Sequence, residues 1–210
     1  MDVKLIDFWG SAFCKYRLYN CKDAFPMFSA RLHTGCVYNF ISDFACGSWA
    51  AVSCIGGKGI LEPCSKIMIN DNFTSQKVLR SISGSIPEER KFPTNKSARK
   101  LIMNELEKSN NVHEKIDEII EIFQLSENRI KRPISQCSGE IFPISLALQY
   151  VRGKKILCFP WISEYEMNRI EGCWKQILFL RQNDTMILIP SAASQNILCK
   201  SKSTQSNKGL

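Results

Sequence analysis

Three short runs, Val37-Tyr38-Asn39-Phe40-Ile41, Lys155–Phe159 and Thr185–Ile189, are apolar almost end to end instead of alternating, and this restricts the fold more than any other feature of the chain. A strand with water on one face alternates apolar and polar residues, whereas a strand covered on both faces does not. Each run adjoins a stretch with helical spacing. Gly47 to Ile55 follows the first, with Ala50, Ala51, Cys54 and Ile55 in phase and Gly56-Gly57 ending it. A helix from near Glu140 to Val151 precedes the second, with Pro143 tolerable in its first turn and Gly153 at its end. Met167, Ile170, Trp174 and Leu178 mark one face of a helix between the second run and the third. This alternation predicts an α/β domain with a mostly parallel sheet flanked by helices, in which the three runs lie side by side and parallel. A further strand is expected at Lys66–Ile69, before the polar Asn70-Asp71-Asn72.

From Thr94 the pattern turns helical. Ser97 is placed to cap a helix carrying Leu101, Ile102 and Leu106, and Asn111 with Glu114 has capping-box spacing ahead of Ile116, Ile119, Ile120 and Phe123. The block from Thr94 to Arg132 contains no strand pattern, so it reads as a helical insert between sheet strands. Ser194 to Leu210 is polar and reads as a flexible tail.

A chain of 210 residues that is 44% hydrophobic and 23% charged buries a substantial core. Its net charge of +8 is spread along the sequence, and the densest cluster, Lys200, Lys202 and Lys208, lies in the tail. That distribution describes a solvated surface and gives no footprint for a nucleic-acid partner. Ten cysteines form no C-x-x-C pair, which argues against a zinc site and for a reducing compartment. No run of about 20 apolar residues is present to cross a bilayer, so a membrane role is expected only through a partner.

The phrase Ser138-Gly139-Glu140 followed by Ile144-Ser145-Leu146-Ala147-Leu148, and the phrase Leu180-Arg181-Gln182-Asn183-Asp184-Thr185-Met186-Ile187-Leu188, stand in order with an apolar strand between them. Together they resemble the nucleotide-binding domain of ABC transporters over about residues 1–192, and within that family the A subfamily of lipid exporters. The resemblance implies a P-loop NTPase-like cassette. Residues 94–150 would be its helical subdomain and 193–210 a tail. ATP and Mg²⁺ are the family's ligands.

The resemblance also places the family's functional positions. The phosphate loop, G-x-x-G-x-G-K-[ST]-T, falls on Ser42, Asp43, Phe44, Ala45, Cys46, Gly47, Ser48, Trp49 and Ala50, so only its last glycine is kept. Ser48 stands in the place of the phosphate-binding Lys and Trp49 in that of the Mg²⁺-binding hydroxyl. The glutamine of the Q-loop falls on Glu88. The metal-orienting aspartate falls on Pro160, the catalytic glutamate on Trp161 and the switch histidine on Ser191. Phe13, or Trp9, occupies the region where the family stacks an aromatic on adenine, although plain core packing accounts for either. In the signature Ser138, Gly139 and Glu140, the last replaces a glycine, and Ser138 serves equally as a helix N-cap.

Losing the Lys contact alone costs about 1.5–3 kcal/mol, and phosphoryl transfer needs the Lys, the metal and a water-orienting base together. The resemblance therefore implies a cassette that does not hydrolyse ATP, holds no cofactor and acts as a structural or regulatory partner in lipid transport. An active ATP-binding subunit and a diverged fragment without function remain open alternatives. The implied partners are a transporter membrane domain or a second cassette, and the implied location is cytoplasmic, at a membrane face through that partner.

Overall fold

A computed structural model of the chain describes residues 1–16, 19–86, 95–109 and 115–192. The strands form two sheets. One contains β1 (Asp2–Tyr16), β2 (Tyr19–His33), β4 (Ile60–Leu61), β5 (Lys66–Ile69) and β6 (Asn72–Phe73), and its pairings are antiparallel. The other contains β3 (Val37–Ile41), β7 (Ser83–Ser85), β8 (Ile156–Cys158) and β9 (Met186–Ser191), parallel throughout in the order β3-β9-β8-β7. The three apolar runs thus lie in one parallel sheet, with β9 between β3 and β8. The expectation of a mostly parallel architecture is corrected, because the N-terminal third builds a separate antiparallel sheet.

That sheet is hard to see in the sequence because its two long strands change phase. Val3, Leu5, Phe8, Ala12 and Cys14 are the buried apolar residues of β1, so the inward set passes from odd to even numbers at Ile6-Asp7. The pairing with β2 slips on both sides of Phe8, and Asp7 takes φ +46°. On β2, Asp23 and Phe25 face inward on one side of the slip and Leu32 on the other. A bulge that inserts one residue has this effect on a period-two pattern. Pro26 is accommodated because β2 is an edge strand.

The parallel strands are covered on both faces, which accounts for their unbroken apolar character. Ile156, Cys158, Met186 and Leu188 pack on one side with α1 (Ser48–Ile55) and the inner face of the antiparallel sheet. Leu157, Ile187 and Ile189 pack on the other with the helical layer. The first of these cores places α1 between the two sheets.

Following α2 (Gln76–Ile82) and β7, the chain enters α3 (Ala98–Lys108), α4 (Ile116–Ile122), α5 (Glu127–Ile130) and α6 (Ile141–Val151) before β8. Ser97 caps α3 as expected, its hydroxyl accepting Lys100 N–H at 3.3 Å. Asn111 and Glu114 lie outside the described residues; α4 begins after Lys115, whose N–H is accepted by Glu118 at 3.3 Å. Between β8 and β9 the single expected helix is two, α7 (Met167–Gly172) and α8 (Trp174–Gln182), broken at Cys173. Ile170, Cys173, Ile177 and Leu180 form their buried side, while Met167 and Trp174 are only partly buried. Among the described residues no helix is long and apolar enough to cross a membrane.

Candidate functional site

The segment from Ser42 to Ala50 connects the C-terminal end of β3 to the N-terminus of α1, the place where an α/β sheet presents free backbone N–H groups to an anion. Its backbone turns as such a loop must. Gly47 takes φ +108°, and a Cβ there would stand 3.1 Å from Phe25 Cβ and 3.2 Å from Ala24 O, so conformation and the nearness of β2 both demand glycine. Ala45 takes φ +60° without glycine's freedom, at a cost of about 1–2 kcal/mol. The turn is thus made at Ala45 without a glycine, under strain.

The anion at this helix start is internal. Asp23, fully buried on β2, accepts Gly47 N–H at 2.8 Å through Oδ1 and Ala50 N–H at 2.9 Å through Oδ2. The first turn of α1 has no acidic residue, so Asp23 supplies from 24 residues away the negative charge that a helix N-terminus favours. Sequence reasoning missed this residue. Its signal was a single carboxylate among the inward positions of β2, legible only once the slipped phase of that strand is known.

The remaining loop residues close on one another. Ser48, at the position expected for a lysine, is buried; its N–H donates to Ser42 Oγ at 3.1 Å and the two hydroxyl oxygens are 2.7 Å apart. Ser42 N–H donates to Ser191 O at 3.0 Å, tying the loop to the end of β9. Ser191 is fully buried and donates through Oγ to Asn39 Oδ1 at 2.9 Å. Trp161 lies beneath the loop, its Nε1–H donating to Ser42 O at 3.3 Å and its ring edge-on to Phe44 at 5.2 Å. An indole thus fills the space beside the loop where a carboxylate was looked for. Pro160 is buried next to it and offers no side-chain acceptor.

Glu166, a carboxylate beyond the end of β8, is engaged in a turn of its own, where Oε2 accepts Ser163 N–H at 3.3 Å and Ser163 Oγ–H at 2.9 Å. Lys58 lies past the end of α1 and donates to Ser85 Oγ at 2.6 Å. Cys158, on β8, is fully enclosed, and burial pushes its thiol up to about 12, leaving a neutral, apolar-like group. Glu88 lies outside the described residues.

Phe13 and Trp9 are not core residues: they are 78% and 42% exposed. Phe13 and Trp49 border one cavity, and Trp49 Nε1 is buried without a hydrogen-bond partner. At the other candidate position, Ser138–Glu140 form a single 3₁₀ turn ahead of α6. The N-cap of α6 is Glu140, so Ser138 is not the cap that the sequence suggested. Glu140 turns away from solvent, with Oε1 3.6 Å from Arg129 Nη1 and Oε2 accepting Ser126 N–H at 3.3 Å.

No protein-family model and no curated protein sequence matches the chain. Solved structures do. A putative ABC transporter ATP-binding protein from Pyrococcus furiosus superposes with a TM-score of 0.67 at 14% identity, over 94% of each chain. MJ1267, an ATP-binding cassette of an ABC transporter in its ADP conformation, gives 0.63 at 12% identity over 91% of this chain and 81% of its own. CbiO1 from Clostridium perfringens, part of the ABC transporter complex cbiONQ, gives 0.63 at 13% identity over 91% and 78%. The fold is that of ABC transporter ATP-binding cassettes.

Proposed function

We propose that the chain is a hydrolytically silent cassette of A-subfamily type, with residues 94–150 as its helical subdomain and 193–210 as a tail. It serves as a structural or regulatory partner of a transporter membrane domain or of a second, active cassette in lipid transport, at the cytoplasmic face of a membrane.

The observation that supports this reading most is the Asp23 carboxylate on Gly47 and Ala50 N–H. A phosphate entering the loop would meet a buried negative charge already holding two of the donors, with no lysine at the place of Ser48 to offset it. Trp161 supports the same reading, since the resemblance gives its position to the catalytic glutamate and an indole cannot act as a general base.

The test is calorimetry of the purified chain with Mg²⁺-ATP, together with phosphate release. The expected result is no binding tighter than about 1 mM, an interaction of about 4 kcal/mol, and no turnover. Micromolar, Mg²⁺-dependent binding overturns the proposal.

A further inference from the structure

The register of the N-terminal hairpin sets two thiols directly opposite each other. Cys14 on β1 pairs with Cys21 on β2, two pairs from the last of the ladder, Tyr16 with Tyr19. Residues opposite one another in an antiparallel pair project to the same face, with Cα atoms about 4.5–5.5 Å apart. A disulfide spans Cα separations of about 4.4–6.8 Å, so the backbone already meets its requirement. Among the described strands no other ladder places two cysteines opposite each other. Both residues are thiols in this structure.

The two differ in access. Cys14 is fully buried, whereas Cys21 is half-buried and open in part to solvent. An oxidant therefore meets Cys21 first, and Cys14 is held beside it as the second thiol, at an effective concentration that a thiol in solution does not match. Elsewhere burial pushes the thiols of Cys54, Cys158 and Cys173 up to about 12, which keeps them neutral and slow to exchange. Cys46 and Cys64 are exposed and lie in connections outside the ladders.

We infer that Cys14 and Cys21 form a thiol–disulfide exchange site whose reaction partner is a small-molecule disulfide such as oxidised glutathione. The Cys21 thiolate attacks one sulfur of oxidised glutathione and releases the other half as a thiolate, which takes up the proton that Cys21 gave. Cys14 then gives up its proton and attacks Cys21 Sγ, forming the Cys14–Cys21 bond and releasing the second glutathione. Two protein thiols are oxidised and one disulfide is reduced to two thiols.

Asp23 stands two residues along β2 on the same face and holds the start of α1, so the new bond braces the strand that carries that contact. Neither cysteine belongs to the Ser42–Ala50 loop, and the inference is independent of what that loop binds.

The experiment incubates the full chain with about 1 mM oxidised glutathione at about pH 8, where thiolate forms readily, until Cys46 and Cys64 carry glutathione. Remaining thiols are then alkylated and the chain is digested with trypsin. Cleavage after Lys4, Lys15, Arg17 and Lys22 leaves the two cysteines on separate peptides, 5–15 and 18–22, so their bond appears as one linked species. Wild type is expected to give this species as its main internal disulfide, and dithiothreitol to remove it. The oxidised chain should unfold about 5 °C above the reduced one, from the constraint on a short loop. In Cys14→Ala, Cys21 is expected to keep glutathione as a mixed disulfide. In Cys21→Ser, Cys14 stays a thiol and the shift in Tm disappears.

Absence of the linked peptides once Cys46 and Cys64 carry glutathione overturns the inference. So does a main product that joins Cys14 or Cys21 to a different cysteine. Linkage that forms only after urea has unfolded the chain overturns it as well, because the native strands would then hold the sulfurs apart.

Discussion

Replacing Asp23 with alanine removes the one carboxylate at the start of α1 among the described residues and leaves the Gly47 and Ala50 N–H groups without their acceptor. A hydrogen bond to a charged group contributes about 1.5–3 kcal/mol, and the two here share one carboxylate, so they do not add fully. The expected loss is about 3–5 kcal/mol, in the range for breaking a buried charged contact. For a chain of this size each kcal/mol moves Tm by about 2–4 °C, which gives a fall of about 6–20 °C. Urea and thermal unfolding followed by circular dichroism measure it. Asp23→Asn keeps one acceptor but turns an N–H₂ toward the other donor, and should lose more than half as much. Inorganic phosphate should restore part of the loss in Asp23→Ala, because the vacated N–H pair is an anion site. Asp43→Ala, at an exposed position of the same loop, should stay within about 0.5 kcal/mol. A loss below about 1 kcal/mol in Asp23→Ala, or one equal to that of Asp43→Ala, refutes the reasoning.

Ser48→Lys with Trp49→Thr restores the expected loop chemistry in part, yet Mg²⁺-ATP should still bind more weakly than about 1 mM while Asp23 holds Gly47 and Ala50; micromolar binding by calorimetry refutes this. Gly59→Ala should destabilise by about 1–3 kcal/mol in urea unfolding, because a Cβ there collides with Cys54 Sγ and stands 2.9 Å from Ser11 O. Hydrogen bonding and charge from Arg152, then Lys108, hold the Glu105 carboxyl below its usual range. A depressed folded-state value means that stability is present above the unfolded value and lost as pH falls through the folded one. The Tm advantage of wild type over Glu105→Gln, worth about 1 kcal/mol at neutral pH, should therefore shrink to nothing with acidification, and an advantage that grows in acid refutes the assignment.

The parallel sheet was legible because its strands serve two cores at once, so Ile156 to Cys158 and Met186 to Ile189 leave no polar interruption. Helix α3 was legible because Ser97 caps it locally. The antiparallel sheet was not, since bulges near Asp7 and Pro26 shift the alternation before any window can register it. The α7–α8 break escaped for a different reason: Met167, Ile170, Trp174 and Leu178 fit one continuous helix as well as the true buried set does.

Within the site, sequence could say which residues stand at the loop and beside it, because those positions are counted along the chain. It could not say that Asp23 would reach Gly47 or that Trp161 would lie beneath the loop. Those meetings are made by tertiary contacts spanning 24 to more than 100 residues.

The carboxylate on β2 also couples two parts of the molecule in time. Helix α1 has eight residues, too few to persist alone in water, and its first-turn donors find their acceptor only when the antiparallel sheet docks on it. The amides of Gly47 and Ala50 should then exchange with deuterium through that undocking, while the amides of β9, paired between two neighbours, wait for global unfolding. Two exchange rates within one chain would show the sheets parting before either one melts.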